Sequence, residues 1–211
     1  MKKVFLQFNR AFTLAEVLIT LVIIGVIAAL TIPNLVYQTK KTEYSGRLKK
    51  FYSTMRQVEQ MAEADGNSWK DWAATTAAAT ESNSRHKVVT FQNKYLLPYM
   101  SYVETMDIDV HKRRVLLNDG SYFTNMQGMC MDFNFDVNGD KKPNEIGSDI
   151  FVFLYCPLSH PNMLNKAEFV PYTETSNRDV ALSRCRNNAI NCSTLLMLDG
   201  WEFKNDYPYR L

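Results

Sequence analysis

The sequence predicts an α+β chain in which a long N-terminal helix packs on an antiparallel β-sheet head. Three patterns carry this expectation. Val17 to Thr39 contains no charged residue, Tyr44 to Ala62 carries an apolar stripe at helical spacing, and from Arg113 the period changes to that of turn-punctuated strands.

The uncharged run VLITLVIIGVIAALTIPNLV is long enough to cross the roughly 30 Å hydrocarbon core as a helix. A cleaved secretory signal has a shorter apolar stretch followed by a small-x-small cleavage site, so this run reads as a retained membrane segment. Glu16 stands where it begins. A carboxylate inside a membrane helix costs on the order of 2.5–3.5 kcal/mol at the bilayer centre, which makes such a residue a functional candidate by default. The i to i+4 spacing sets Glu16 and Phe12 on one face. A chain beginning at Phe12 would offer its α-amine, or that of a neighbouring copy, as the counter-charge.

The stretch AFTLAE at 11–16, behind a short leader containing Lys2, Lys3 and Arg10, resembles the type IV prepilin cleavage motif. The resemblance covers 26 residues strongly. It implies that prepilin peptidase cuts between Ala11 and Phe12 and methylates the new amine. Ala11 stands where glycine is usual, and it too lacks a bulky side chain. The resemblance also implies that Glu16 acts in subunit assembly, and that an inner-membrane platform protein and its ATPase extract the subunits. Gly25 and Pro33 fall where helices of this family bend or unwind locally in a filament. Charge bias does not set the orientation. Lys40, Lys41, Arg47, Lys49 and Lys50 follow the run and outnumber the leader's three basic groups, against the positive-inside rule. The cytoplasmic leader therefore rests on the resemblance.

Beyond the membrane run, Tyr44, Leu48, Phe51, Met55, Val58 and Ala62 recur in steps of three and four, with Lys41, Arg47, Lys50, Arg56 and Glu63 on the other side. Together the two halves predict one helix of about 50 residues that stops near Asp65-Gly66-Asn67. Trp69–Thr80 and Val88–Tyr99 read as short helices, the second stopped around Pro98, with an exposed loop carrying His86 between them. Strands are expected to begin at Arg113. RRVLL, Asn118-Asp119-Gly120 and SYFTN make a hairpin, MCMDFNF (129–135) a half-buried strand, and IFVFLYC (150–156) a central one. Loops rich in proline and asparagine follow. The tail predicts a final packed element, with Leu195, Leu196 and Leu198, an Asp199-Gly200 turn, then Trp201, Phe203, Tyr207 and Tyr209.

The loop DVNGDKKPNEIGSD (136–149) is dense in side-chain oxygens. Asp136, Asn138 and Asp140 alternate as in the first half of an EF-hand, and Asn144 and Asp149 are the candidates to complete a calcium shell. The match is partial, because Gly139 is one place early and Gly147 stands where the twelfth-position glutamate belongs. A polar turn held by Asx-type hydrogen bonds, with no ion, accounts for the same residues. The loop also resembles the calcium-stabilised loops of pseudopilin heads.

Cys130, Cys156, Cys185 and Cys192 make an even count in a domain read as exported, which favours two disulfides. There is no CxxC pair, and His86, His111 and His160 are scattered, so a zinc site has no supporting spacing. Cys185 and Cys192 enclose a six-residue turn, an easy local bridge. Cys130 and Cys156 are then left for each other. Joining them directly across a hairpin places Asp132 and Asn134 opposite Leu154 and Val152, whereas a more apolar register is shifted by one. On this reading the two strands are non-adjacent or the thiols free.

Length and composition, 211 residues and 46% hydrophobic, allow one head domain. The first 11 residues hold three of the 24 basic groups and no acid, which leaves 21 against 22 acidic groups. That balance offers no footprint for nucleic acid or anionic lipid. The expected organisation is a leader at 1–11, a transmembrane and filament-core helix at 12–36, and an exported head at 37–211. The chain is then a single-pass inner-membrane protein, and after assembly a subunit of a periplasmic or cell-surface filament, either a type IV pilus or a type II secretion pseudopilus. The competing reading is an exported enzyme or binding protein tethered by the same anchor. No nucleophile elbow, metal-spaced histidine pair or phosphate loop supports an enzyme.

Overall fold

The computed structural model describes residues 12–71, 87–109, 112–127, 130–156, 168–173 and 175–211. The chain divides into two units, Met1–Lys40 and Lys41–Leu211. One helix, α1 (Leu14–Ala64), has residues in both units.

All six residues of the predicted stripe are 3% exposed or less. The helix ends where the sequence places its stop. The Asn67 N–H donates to Ala62 O at 2.8 Å and the Gly66 N–H to Glu63 O at 3.2 Å, with Gly66 at φ 77°, which is the Schellman pattern that a glycine adopts without strain. Trp69 follows in a short 3-10 turn (Trp69–Asp71), fully buried, and its indole N–H donates to Tyr95 O at 2.8 Å. That bond ties α1's end to the next helical segment, α2 (87–91). This segment widens to a π-helix over Gln92–Leu96 and tightens to 3-10 over Leu97–Tyr99, so its predicted stop near Pro98 holds. The predicted loop with His86, together with residues 72–80 of the first predicted short helix, lies outside the described residues.

The head sheet is an antiparallel meander of six strands in sequence order: β1 (Glu104–Asp107), β2 (Lys112–Leu116), β3 (Tyr122–Gln127), β4 (Met131–Asp136), β5 (Ile150–Tyr155) and β6 (Phe169–Pro171). The predicted turn joins β2 to β3, with Gly120 at φ 80° and the Leu117 N–H donating to Ser121 O at 2.9 Å. Two strands escaped the sequence reading. β1 precedes Arg113 and is a short acid-bearing edge, ETMD, with no apolar alternation. β6 is three residues long and ends in a proline, which only a sheet edge accepts.

One sheet face packs on α1 through aromatic rows. Phe123, Phe135 and Phe151 lie opposite one another on neighbouring strands, as do Phe133 and Phe153, and Tyr155 and Phe169. Phe51 enters from α1, stacked on Phe135 at 4.0 Å and within 6.0 Å of Phe123, Phe153 and Phe169.

The register of β4 on β5 corrects the sequence expectation. The strands are adjacent, Asp132 does face Leu154 and Asn134 does face Val152, and a Cys130–Cys156 disulfide closes the end of the ladder. Because β5 is apolar on both faces, hydrophobic pattern does not choose between registers. The aromatic pairs and the disulfide do, and the polar residues fall on the face away from α1. Asp132 bears the consequence: burial alone pushes its carboxyl up to about 6. The folded state then holds a proton that the unfolded chain releases near pH 4, so this group favours folding at acid pH, and that contribution is lost as pH rises through about 6. Asp132→Asn is expected to raise stability by about 2 kcal/mol at pH 7.5 and to have little effect at pH 4, in paired thermal melts. Equal effects at the two pH values would refute it.

The C-terminal part contains a helix that sequence reading left as loop, α3 (Arg178–Asn187). Its signal was present in Asn177, whose side chain accepts from the Asp179 and Val180 N–H groups as an N-cap. A 3-10 turn (Ala189–Asn191) leads to α4 (Cys192–Leu198), and the predicted Cys185–Cys192 disulfide staples the hairpin. Trp201 and Phe203 are buried, the packed terminal element expected. Asp199, its side chain 2% exposed, accepts from the Arg178 guanidinium at 2.6 and 2.9 Å and from Lys204 Nζ at 2.7 Å.

Candidate functional site

Glu16 opens α1 in a reciprocal cap with Thr13. The carboxylate oxygen Oε2 accepts from the Thr13 N–H at 2.8 Å and from its hydroxyl at 2.9 Å, and the Glu16 N–H donates to Thr13 Oγ1 at 3.2 Å. This is the capping box of Thr-x-x-Glu, which satisfies N–H groups that a helix start otherwise leaves open. It folds the side chain back toward Phe12, and Phe12 is 85% exposed. The sequence reading singled out Glu16 and missed Thr13, although the T-x-x-E spacing was legible. Ala11 lies outside the described residues.

From Phe12 to Val36, each of the fifteen large apolar side chains is 42–85% exposed. Burying one such side chain contributes about 1.5–3 kcal/mol, so the segment demands an apolar surrounding worth tens of kcal/mol. By length and composition α1 is able to cross a membrane. It stays helical through Pro33, and the threonines Thr20, Thr31 and Thr39 turn their hydroxyls inward, donating to backbone carbonyls three or four residues back. These hydroxyls are thereby satisfied without water.

The structure divides the five residues proposed for calcium. Asp149 is buried and central: its Oδ1 accepts from the Glu145 N–H at 2.7 Å, and its Oδ2 from the Asn144 N–H at 2.9 Å and Asn138 Nδ2 at 3.0 Å. Asn144 sits at φ 54°, a left-handed position that asparagine tolerates. Asp136 Oδ1 accepts from the Asn138 N–H, and burial pushes this carboxyl up to about 6. Asp140 turns away, its side chain 78% exposed and paired with Arg114 at 3.0 Å. Among the described residues no cluster of three or more His, Cys, Asp or Glu side chains is arranged to hold a metal.

An apolar helix opened by a Thr-Glu box and running into a sheet head is the α+β layout of pilins, and residues 7–32 match the prokaryotic N-terminal methylation motif, the signal of type IV pilins and pseudopilins. That stretch contains Ala11, Phe12, Thr13 and Glu16. Over residues 34–211 the chain matches a family of unknown function (DUF6613), and it belongs to that family. No curated protein and no solved structure matches it.

Proposed function

We propose that the chain is a structural subunit of a type IV pilus-like or type II secretion pseudopilus filament, anchored in the inner membrane with its head exported. The observation that carries this reading is the methylation motif set on a capped Glu16 at the head of a helix whose large apolar side chains are all exposed as far as Val36.

Cleavage by prepilin peptidase between Ala11 and Phe12 would free an amine within reach of a carboxylate already folded toward that end. In the lone subunit the Thr13 groups satisfy Glu16, which reduces the penalty of holding it in the membrane. In the filament the carboxylate accepts the methylated amine of an adjacent subunit as well, and that charge pair sets the axial register. Neighbouring helices then supply the apolar surrounding that 12–36 lacks in a single chain, after the platform and its ATPase lift subunits out of the bilayer. The two disulfides stiffen each head for a space outside the cytoplasm. Disulfide cross-linking from a cysteine placed within 12–36 tests the proposal, because a filament subunit gives a ladder of multimers where a tethered enzyme or binding protein gives none.

A further inference from the structure

The 136–149 loop joins three parts of the head that are far apart in sequence, through hydrogen bonds between protein groups. On one side, Arg47 of α1 donates through Nη1 to Val137 O at 2.6 Å across 90 residues, while its Nη2 holds Glu43 at 2.8 Å. From the same helix, the Tyr44 hydroxyl accepts from Asn138 Nδ2 at 2.8 Å. Across the loop, the Val137 N–H donates to Asp149 O, and the Asp149 carboxylate gathers the three donors described above. On the far side, the Tyr207 hydroxyl donates to Gly147 O at 2.6 Å, and Gly147, at φ 87°, has Tyr209 so close that a Cβ would sit 3.0 Å from its ring.

A calcium ion asks for six to eight oxygens. Of the five predicted ligands, only Asp136 Oδ2 and Asn138 Oδ1 are buried without a hydrogen-bond partner. Asp149 Oδ2 already accepts from two donors, Asp140 is held by Arg114, and the Arg47 guanidinium sits on the Val137 carbonyl, where its positive charge opposes a cation. The residues do not form the shell.

We infer that this loop is a metal-free clamp, in which the Arg47 guanidinium and the Asp149 carboxylate do the work of an ion and its ligands, fastening α1 to the C-terminal Tyr207–Tyr209 segment. The clamp needs no filament, so it stands apart from the assembly reading.

The test is thermal unfolding of the detergent-solubilised full-length protein in millimolar calcium chloride and in EGTA, with hydrogen exchange of the loop alongside. The expected wild-type midpoints coincide in the two solutions. Arg47→Met lowers both equally and speeds exchange of amides in 136–149 about tenfold, leaving β5 protected. Arg47→Lys, which retains one donor and the charge, falls between. A wild-type midpoint raised by calcium and lowered by EGTA, with saturable calcium uptake by calorimetry, would overturn the inference. So would loop exchange that Arg47→Met and Arg47→Lys both leave unchanged.

Discussion

Glu16→Ala is expected to leave membrane insertion and cleavage before Phe12 intact and to remove the subunit from filaments. The carboxylate is the one acid between Phe12 and Tyr37. In the proposed filament its partner is an amine shielded from water, and breaking a buried ion pair by deleting one partner costs about 3–5 kcal/mol. Each subunit contact repeats that loss, so incorporation should fall by more than a hundredfold. Glu16→Gln separates the two roles of the side chain: it preserves an acceptor for the Thr13 N–H and hydroxyl, but has no charge for the amine. It should insert and be processed like wild type, yet assemble nearly as poorly as alanine. Normal filament yield from Glu16→Ala, measured by shearing and immunoblot against equal membrane levels, would sink the pairing mechanism.

The second large effect lies in the head. Phe51 is 3% exposed and sits among four aromatic rings from β3, β4, β5 and β6, so Phe51→Ala opens a cavity that four strands would have to move to fill. Such truncations cost about 3–5 kcal/mol, a large part of the 5–15 kcal/mol that holds a typical domain. At about 2–4 °C per kcal/mol for a head of this size, the melting midpoint should fall by about 10 °C or more. Near-ultraviolet circular dichroism of the solubilised chain reads this directly. Tyr52, adjacent on α1 but only half buried, is the contrast: Tyr52→Ala should cost clearly less. Equal shifts for the two variants would mean that Phe51 is not the keystone of the helix–sheet contact.

Much of this was legible in the residues, for identifiable reasons. The stripe from Tyr44 to Ala62 has helical period and one apolar side, so its burial followed from spacing alone. Gly66, Asn118-Asp119-Gly120 and Asp199-Gly200 announced a helix end and two turns through backbone conformations that few other residues adopt. What escaped was set by tertiary context. β1 and β6 are short edges whose strand state comes from pairing with β2 and β5, not from their own pattern. The register of β4 on β5 was misjudged because β5 is apolar on both faces, which left the polar side of β4 free to face either way. At the site, Glu16 stood out by its cost, whereas Thr13 is an ordinary polar residue until the helix starts beside it. In the 136–149 loop the sequence displayed the acids, but Arg114, which pairs with Asp140, and Arg47, which donates to the Val137 carbonyl, come from β2 and α1, too distant in sequence for spacing to reveal.

The filament claim itself is tested most directly by oxidative cross-linking of Leu21→Cys in intact cells that express the assembly machinery, resolved without reduction. The expected result is a ladder of dimers, trimers and higher multimers, built from subunits that begin at methylated Phe12, and its disappearance when Glu16→Ala is added. A Leu21→Cys protein that is processed and inserted but runs only as monomer would contradict it.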